Sequence, residues 1–216
     1  MITAAIENNA AVMREVRQLG RQLGKDGDAI LRDAGLAMAR SAMRLTIPMG
    51  TAGKAQKQGE GAVVGDVRRT LSVAQSSDVS IAQALAHHQG QRRNGRPPRS
   101  PAKVDVTTQV RDEIIRQQQA KVGQAKAAFG RAALEFGAPR IPKWIGRHSG
   151  KWTQAQVRAR RNTPSVTIRS MLNYASDALP ARLQRSATRA GFSRLRNNYR
   201  NQLRRRANQS TRRLSR

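Results

Sequence analysis

The chain has no cysteine, only 3% aromatic residues and no long apolar run, and each absence closes off a class of protein. Without cysteine there is no disulfide framework, no thiol nucleophile and no Cys-ligated zinc or iron–sulfur site, which fits assembly in a reducing cytoplasm. No uninterrupted apolar stretch approaches the roughly 20 residues that a membrane helix needs. Met1 to Ala11 lacks a basic segment followed by an apolar block, so the expectation is a protein made in the cytoplasm without a signal peptide and off the membrane. Two Trp, two Tyr and three Phe in 216 residues leave the core to Ala, Leu, Ile and Val. Acid is scarcest where base is densest. Arg140 to Arg216 holds twenty Arg or Lys and one acid, Asp177, which places +19 of the chain's +28 there, and twelve arginines follow Ala181 with no acid at all.

A field of one sign that dense works against a compact state through self-repulsion, so it is expected beside a polyanion or another countercharge. Most of the charge is arginine, whose planar fork fits phosphate and carboxylate better than lysine does. The basic blocks are Arg92, Arg93, Arg96 and Arg99; Arg158, Arg160 and Arg161; and Arg204, Arg205 and Arg206 with Arg212 and Arg213. A merely solubilising surface usually intersperses both signs. These blocks are therefore read as contacts to nucleic-acid phosphate or to an acidic partner. Aromatic residues do not interleave with them as a stacking platform for RNA bases would.

Periodicity gives an α+β fold that is mostly α. From Thr3 to Leu45 two antiparallel helices are expected. Ile6, Val12, Val16, Leu19 and Leu23 stripe the first; Ile30, Leu31, Ala34, Met38, Ala42 and Leu45 stripe the second; Gly24 to Asp28 separates them and Pro48 ends the pair. Pro48 to Gly61 reads as a flexible loop, followed by a short helix over Ala62 to Leu71 with Val63, Val64, Val67 and Leu71 inward. Ser80 to His88 is a short helix or strand, and Gly90 to Lys103, with three prolines and five basic residues, is an irregular loop. Asp105 to Phe136 is expected as one long central helix, stopped by Gly137 and Pro139. Ile141, Trp144 and Ile145 form a compact amphipathic turn that should anchor a core or an interface. Ser165 to Arg169 alternates as a short strand. A last helix should run from Pro180 to about Arg206, with a frayed tail from Asn208. The composition divides the chain into residues 1–139, helical with basic loops, and 140–216, strongly basic with a short strand and the terminal helix.

No catalytic constellation emerges. His87 and His88 are adjacent and have no third ligand at usable spacing, so they do not read as a metal site, and His148 reads as an exposed or interface residue. Gly50-Thr51-Ala52-Gly53-Lys54 has two residues between its glycines where a phosphate loop needs four, and Ala55 stands where Ser or Thr should follow the lysine. Asp112 and Glu113 diverge on a helix and read as a solvated face. No cluster of acids is placed to hold Mg²⁺, which argues against nuclease or polymerase chemistry.

Three places in order carry a family likeness: the two N-terminal helices leading to Arg44-Leu45-Thr46-Ile47-Pro48, a Gly/Lys-rich loop and Gln58 to Arg69; Val122-Gly123 through Ala132-Ala133 and the Arg140-Ile141-Pro142-Lys143-Trp144-Ile145-Gly146-Arg147-His148 segment; and Ser165-Val166-Thr167-Ile168 followed by Asn173-Tyr174-Ala175. The order resembles small head–tail connection proteins of tailed bacteriophages, of the neck, tail-completion or minor tail type. The loop after Pro48 is longer than in tail-completion proteins, and Gly65-Asp66-Val67-Arg68-Arg69 stands for their Val-Asp-Thr-Gly-Xaa-Leu-Arg. The resemblance implies a structural virion protein at the head–tail interface, neither an enzyme nor a cofactor binder. It would form a homo-oligomeric ring that meets portal or adaptor and tail proteins beside packaged double-stranded DNA. The alternative from composition is a basic nucleic-acid-binding protein of internal-head, nucleoid or ribosomal type.

Overall fold

The structure, a computed structural model, describes residues 2–5, 27–91, 101–148, 153–158, 165–172 and 178–214. It is mostly helical with a few short strands, as expected from the periodicity. The first helix of the expected N-terminal hairpin falls almost wholly on residues 6–26, outside the described residues. Its proposed start is corrected, because Ile2–Ala5 is a strand, β1.

Helix α1, Gly27–Leu45, is the second limb of that expected pair. Ile30, Leu31, Ala34, Met38, Ala39, Ala42 and Met43 are buried along it, the three- and four-residue spacing that one helical face requires. Its small alanines bring in little apolar area each, but they let neighbouring backbones approach. After α1 the structure departs from the expected loop: helix α2 spans Gly53–Thr70. Gly59 and Gly61 had marked this stretch as flexible. Gly59 is instead buried in the helix, where tertiary packing outweighs its penalty of about 1 kcal/mol against alanine.

Strand β2, Leu71–Val73, follows directly and pairs in parallel with β3, Val104–Val106. Between them lies helix α3, Ile81–Gly90, started by a capping box: the Gln83 amide donates to Ser80 Oγ (3.3 Å) and the Ser80 amide to Gln83 Oε1 (2.9 Å). Helix α4, Thr108–Ala120, is capped by Thr107, whose hydroxyl accepts from the Val110 amide. These elements enclose a small core of Val67, Leu71, Ala84, Val106 and Ile114. His88 is buried beside it, with Nδ1 2.8 Å from Thr70 Oγ1.

The single long central helix expected over Asp105 to Phe136 is two helices preceded by β3. The chain turns at Lys121–Gly123, and α5 runs Gln124–Glu135. Gly123 sits at φ +96°, and a Cβ there would lie 2.7 Å from Trp144 Cζ3. Both the left-handed backbone and the indole above it require glycine. Helix α5 is buried almost all round through Ala125, Lys126, Ala127, Ala128, Phe129, Ala132 and Ala133.

A one-turn helix α6, Lys143–Gly146, leads to strands β4, Thr153–Arg158, and β5, Ser165–Ser170, and then to helix α7, Ala181–Leu214. Strand β4 was not anticipated. The sheet order is β1-β5-β4, antiparallel throughout, with Ile2 opposite Ser170 and Arg158 opposite Ser165. Helix α7 continues to Leu214 where fraying was expected from Asn208. The main core unites α1, α5, Ile145 of α6, Val166 and Ile168 of β5, and Ala187 and Leu195 of α7. It therefore draws on residues from both sides of the boundary at 139/140. Among the described residues no helix is long and apolar enough to cross a membrane.

Candidate polyanion interface

Helix α7 has 34 residues, about 51 Å at 1.5 Å per residue. Its first half is fixed to α1. Ala187 and Leu195 are buried in the main core, with Leu183 and Phe192 packed against it. Gly191 marks the closest approach, where a Cβ would lie 3.0 Å from the Ala34 carbonyl oxygen and 3.3 Å from Met38 Cβ. Polar contacts continue the seam. Arg194 Nε donates to Asp33 Oδ2 at 2.9 Å, and Asn198 Nδ2 donates to the same oxygen.

Of the basic residues singled out from sequence, Arg204 is exposed on α7, and Arg205, Arg206, Arg212 and Arg213 belong to the same helix. Arg158 ends β4, on a different element. Arg92, Arg93, Arg96, Arg99, Arg160 and Arg161 lie outside the described residues.

The segment from Ile141 to His148 binds the molecule's parts together. Ile145 is fully buried, while Ile141 and Trp144 are half-buried against the main core. Trp144 Nε1 donates to the Thr51 carbonyl at 2.8 Å, tying α6 to the loop between α1 and α2. Arg147 Nη2 donates to the Val122 carbonyl at 3.3 Å and also lies 3.9 Å from Glu60. His148 Nε2 donates to the Val122 carbonyl at 2.8 Å. That nitrogen carries the proton, so its 3.3 Å approach to Arg147 Nε is not a hydrogen bond. Burial, the largest effect, pushes the His148 pKa down. The bond to Val122 raises it, and the Arg147 charge lowers it further. Arg147 and His148 together meet carbonyls that the turn after α4 exposes.

Lys126 was missed by sequence reading. It is fully buried, and Nζ donates to the Met43 carbonyl at 2.8 Å and the Thr46 carbonyl at 2.5 Å. Both lie at the C-terminal end of α1, where carbonyls lack helical partners and the helix dipole is negative. Burial pushes its pKa down to about 8. The signal was a lone charge inside Ala125-Lys126-Ala127-Ala128. Its geometry is that of a helix cap.

The residues rejected as chemistry have structural partners. His87 Nε2 is 3.0 Å from the Ala102 carbonyl oxygen, Asp112 pairs with Arg111 at 3.2 Å, and Glu113 pairs with Arg116 at 2.7 Å. Among the described residues no three His, Cys, Asp or Glu side chains come together as a metal set. No protein-family model, curated protein or solved structure matches the chain.

Proposed function

We propose that this chain is a structural protein of the head–tail junction of a tailed bacteriophage. Copies form a ring that joins portal or adaptor to tail and lines or seals the DNA channel. The observation that carries the reading is α7, an acid-free arginine helix clamped along its first half to the molecule's main core. A solubilising or condensing tail has no need of such a mounting. A component that must hold charge at a fixed place in an ordered assembly does, because a pre-set geometry avoids the ordering penalty on binding.

The charge also dictates how such a ring forms. Subunits of +28 repel one another, and at about 0.1 M salt the repulsion persists over roughly 10 Å. Assembly therefore needs a countercharge, from duplex DNA or from an acidic docking ring.

Purified protein is expected to be monomeric or small alone at low salt. It should assemble into closed rings with the portal–adaptor complex encoded in the same genome, as scored by mass photometry and electron microscopy. Competitor DNA should displace little of the docked protein. Failure to dock, combined with unlimited coating of DNA, would instead establish the rival reading, a basic nucleic-acid-binding protein.

A further inference from the structure

Helix α7 carries a second pattern that its arginine runs conceal. Arg182, Arg185, Arg189, Arg196, Arg200 and Arg204 are all exposed. They follow one another at steps of three, four or seven. At about 100° per residue they fall within an arc of roughly 100°, centred opposite Ala187, Gly191 and Leu195, which face the core. The rail runs for about 33 Å from Arg182 to Arg204. Arg194, on the inner side, is the exception that fits, because it turns back to Asp33.

We infer that this rail is a docking surface for the phosphate backbone of duplex DNA. Three observations favour that occupant. Besides the six arginines the arc takes in Ser186, Ser193 and, at one edge, Leu203, and among the described side chains it holds no exposed apolar or aromatic residue. A protein-docking helix face would present apolar or aromatic anchors at its centre. Single-stranded nucleic acid would call for aromatic stacking platforms, and the arc has none. What remains is a straight row of guanidinium forks, suited to a linear array of phosphates and blind to sequence. The inference rests on the head–tail reading only for the source of the duplex.

The test compares two triple variants that remove equal charge. Arg185→Ala/Arg189→Ala/Arg196→Ala strips the rail with the best helix former. Lys57→Gln/Arg68→Gln/Arg69→Gln strips three exposed residues of α2. Binding of each to a mixed-sequence duplex of about three helical turns (about 30 base pairs) is followed by fluorescence anisotropy. Salt is varied from about 50 to 200 mM, and the slope of log K on log salt is read. The rail triple should shrink the slope by about 0.9 per arginine, about 2.7 in all. The α2 triple should change it by less than one contact's worth. Equal losses in both would reduce the effect to net charge and overturn the inference. So would undiminished DNA binding by a rail triple that no longer docks on the adaptor complex, since the occupant would then be an acidic protein. Circular dichroism checks that the helix persists, and the same three changes to Gln provide a second rail variant if alanine disturbs it. Ring formation is scored separately on the same samples. A ring that has lost DNA binding only from an α2 change refutes the rail alone, and DNA binding through the rail without a ring refutes the head–tail reading alone.

Discussion

Replacing Lys126 by Met separates two opposing contributions at the end of α1. Methionine is unbranched and of similar length, so it can fill the same channel without overpacking. It removes both donors to the Met43 and Thr46 carbonyls, and each buried carbonyl left without a partner costs about 1–3 kcal/mol. It also removes a buried ammonium. A shift from 10.5 to about 8 corresponds to a penalty of about 3 kcal/mol, at about 1.4 kcal/mol per pKa unit. Near neutral pH the two nearly cancel, and the variant should be less stable by no more than about 3 kcal/mol. The sign of the pH dependence then follows from the lowered pKa. Below about 8 the lysine is charged in both folded and unfolded chains, and the burial penalty is fully present. Between about 8 and 10.5 the unfolded chain holds the proton more often, so the group's contribution to stability rises with pH. A neutral amine still has two N–H groups for the two carbonyls. The deficit of Lys126→Met relative to the parent should therefore widen by up to about 3 kcal/mol between about pH 7 and about pH 10. Urea denaturation followed by circular dichroism measures it, and taking the difference cancels the general relief of self-repulsion at high pH. A deficit that stays constant over this range would refute a buried, charge-carrying cap.

Trp144→Ala should lower stability by about 3 kcal/mol, the lower end for large aromatic truncations because the ring is half-buried. Trp144→Phe, which loses mainly the bond to Thr51, should lower it by about 1 kcal/mol; equal effects in thermal unfolding would mean the ring packs on nothing. His148 should titrate below its ordinary 6.5 in an NMR experiment, since burial disfavours its charged form. Its contribution to stability is then present above 6.5 and is lost as pH falls from there towards the folded value. A His148→Asn variant should show a flatter acid limb, and an inflection at or above 6.5 in the parent would contradict the buried, neutral ring.

The main core was legible where it obeys one period. Ile30, Leu31, Ala34, Met38 and Ala42 repeat at helical steps and are buried together. Elements decided by distant partners were not. Ile2–Ala5 has no alternation to betray a strand and becomes one by pairing with β5, far along the chain. Thr153–Arg158 did alternate, with Ala155 and Val157 on one side, but its hydropathy contrast is faint. Glycine misled twice in opposite directions. Gly59 reads as a breaker and is buried inside α2, whereas Gly123 sits in a helical stripe and breaks it by adopting φ +96°. In α7 the fraying expected from Asn208 rested on the end of the helix having no partner, although no proline interrupts Ala181 to Leu214. The densest arginine runs drew the eye to Arg204, Arg205 and Arg206. The ordered surface lies in the sparser arginines at three- and four-residue spacing, which periodicity could have found.

The two cores differ in when they can form on the ribosome. The small one is built from Val67 to Ile114 and closes within one contiguous stretch, so it can fold as soon as that stretch emerges. The main one cannot. The apolar face of α1 is completed by α7, and β1 by β5, both some 120 residues or more downstream. At roughly 5–20 residues per second, the part of the α1 face that α5 leaves open waits on the order of seven to thirty seconds for α7. When its cover arrives, it is the arginine helix itself. Until α7 has been made, a nascent chain carries an open apolar strip beside α5, and a polyanion such as messenger or ribosomal RNA can reach the arginines of α7 before α1 does. Yield of soluble protein should therefore depend on holding α1 apart until α7 is free to dock, a task suited to chaperones that bind short apolar segments.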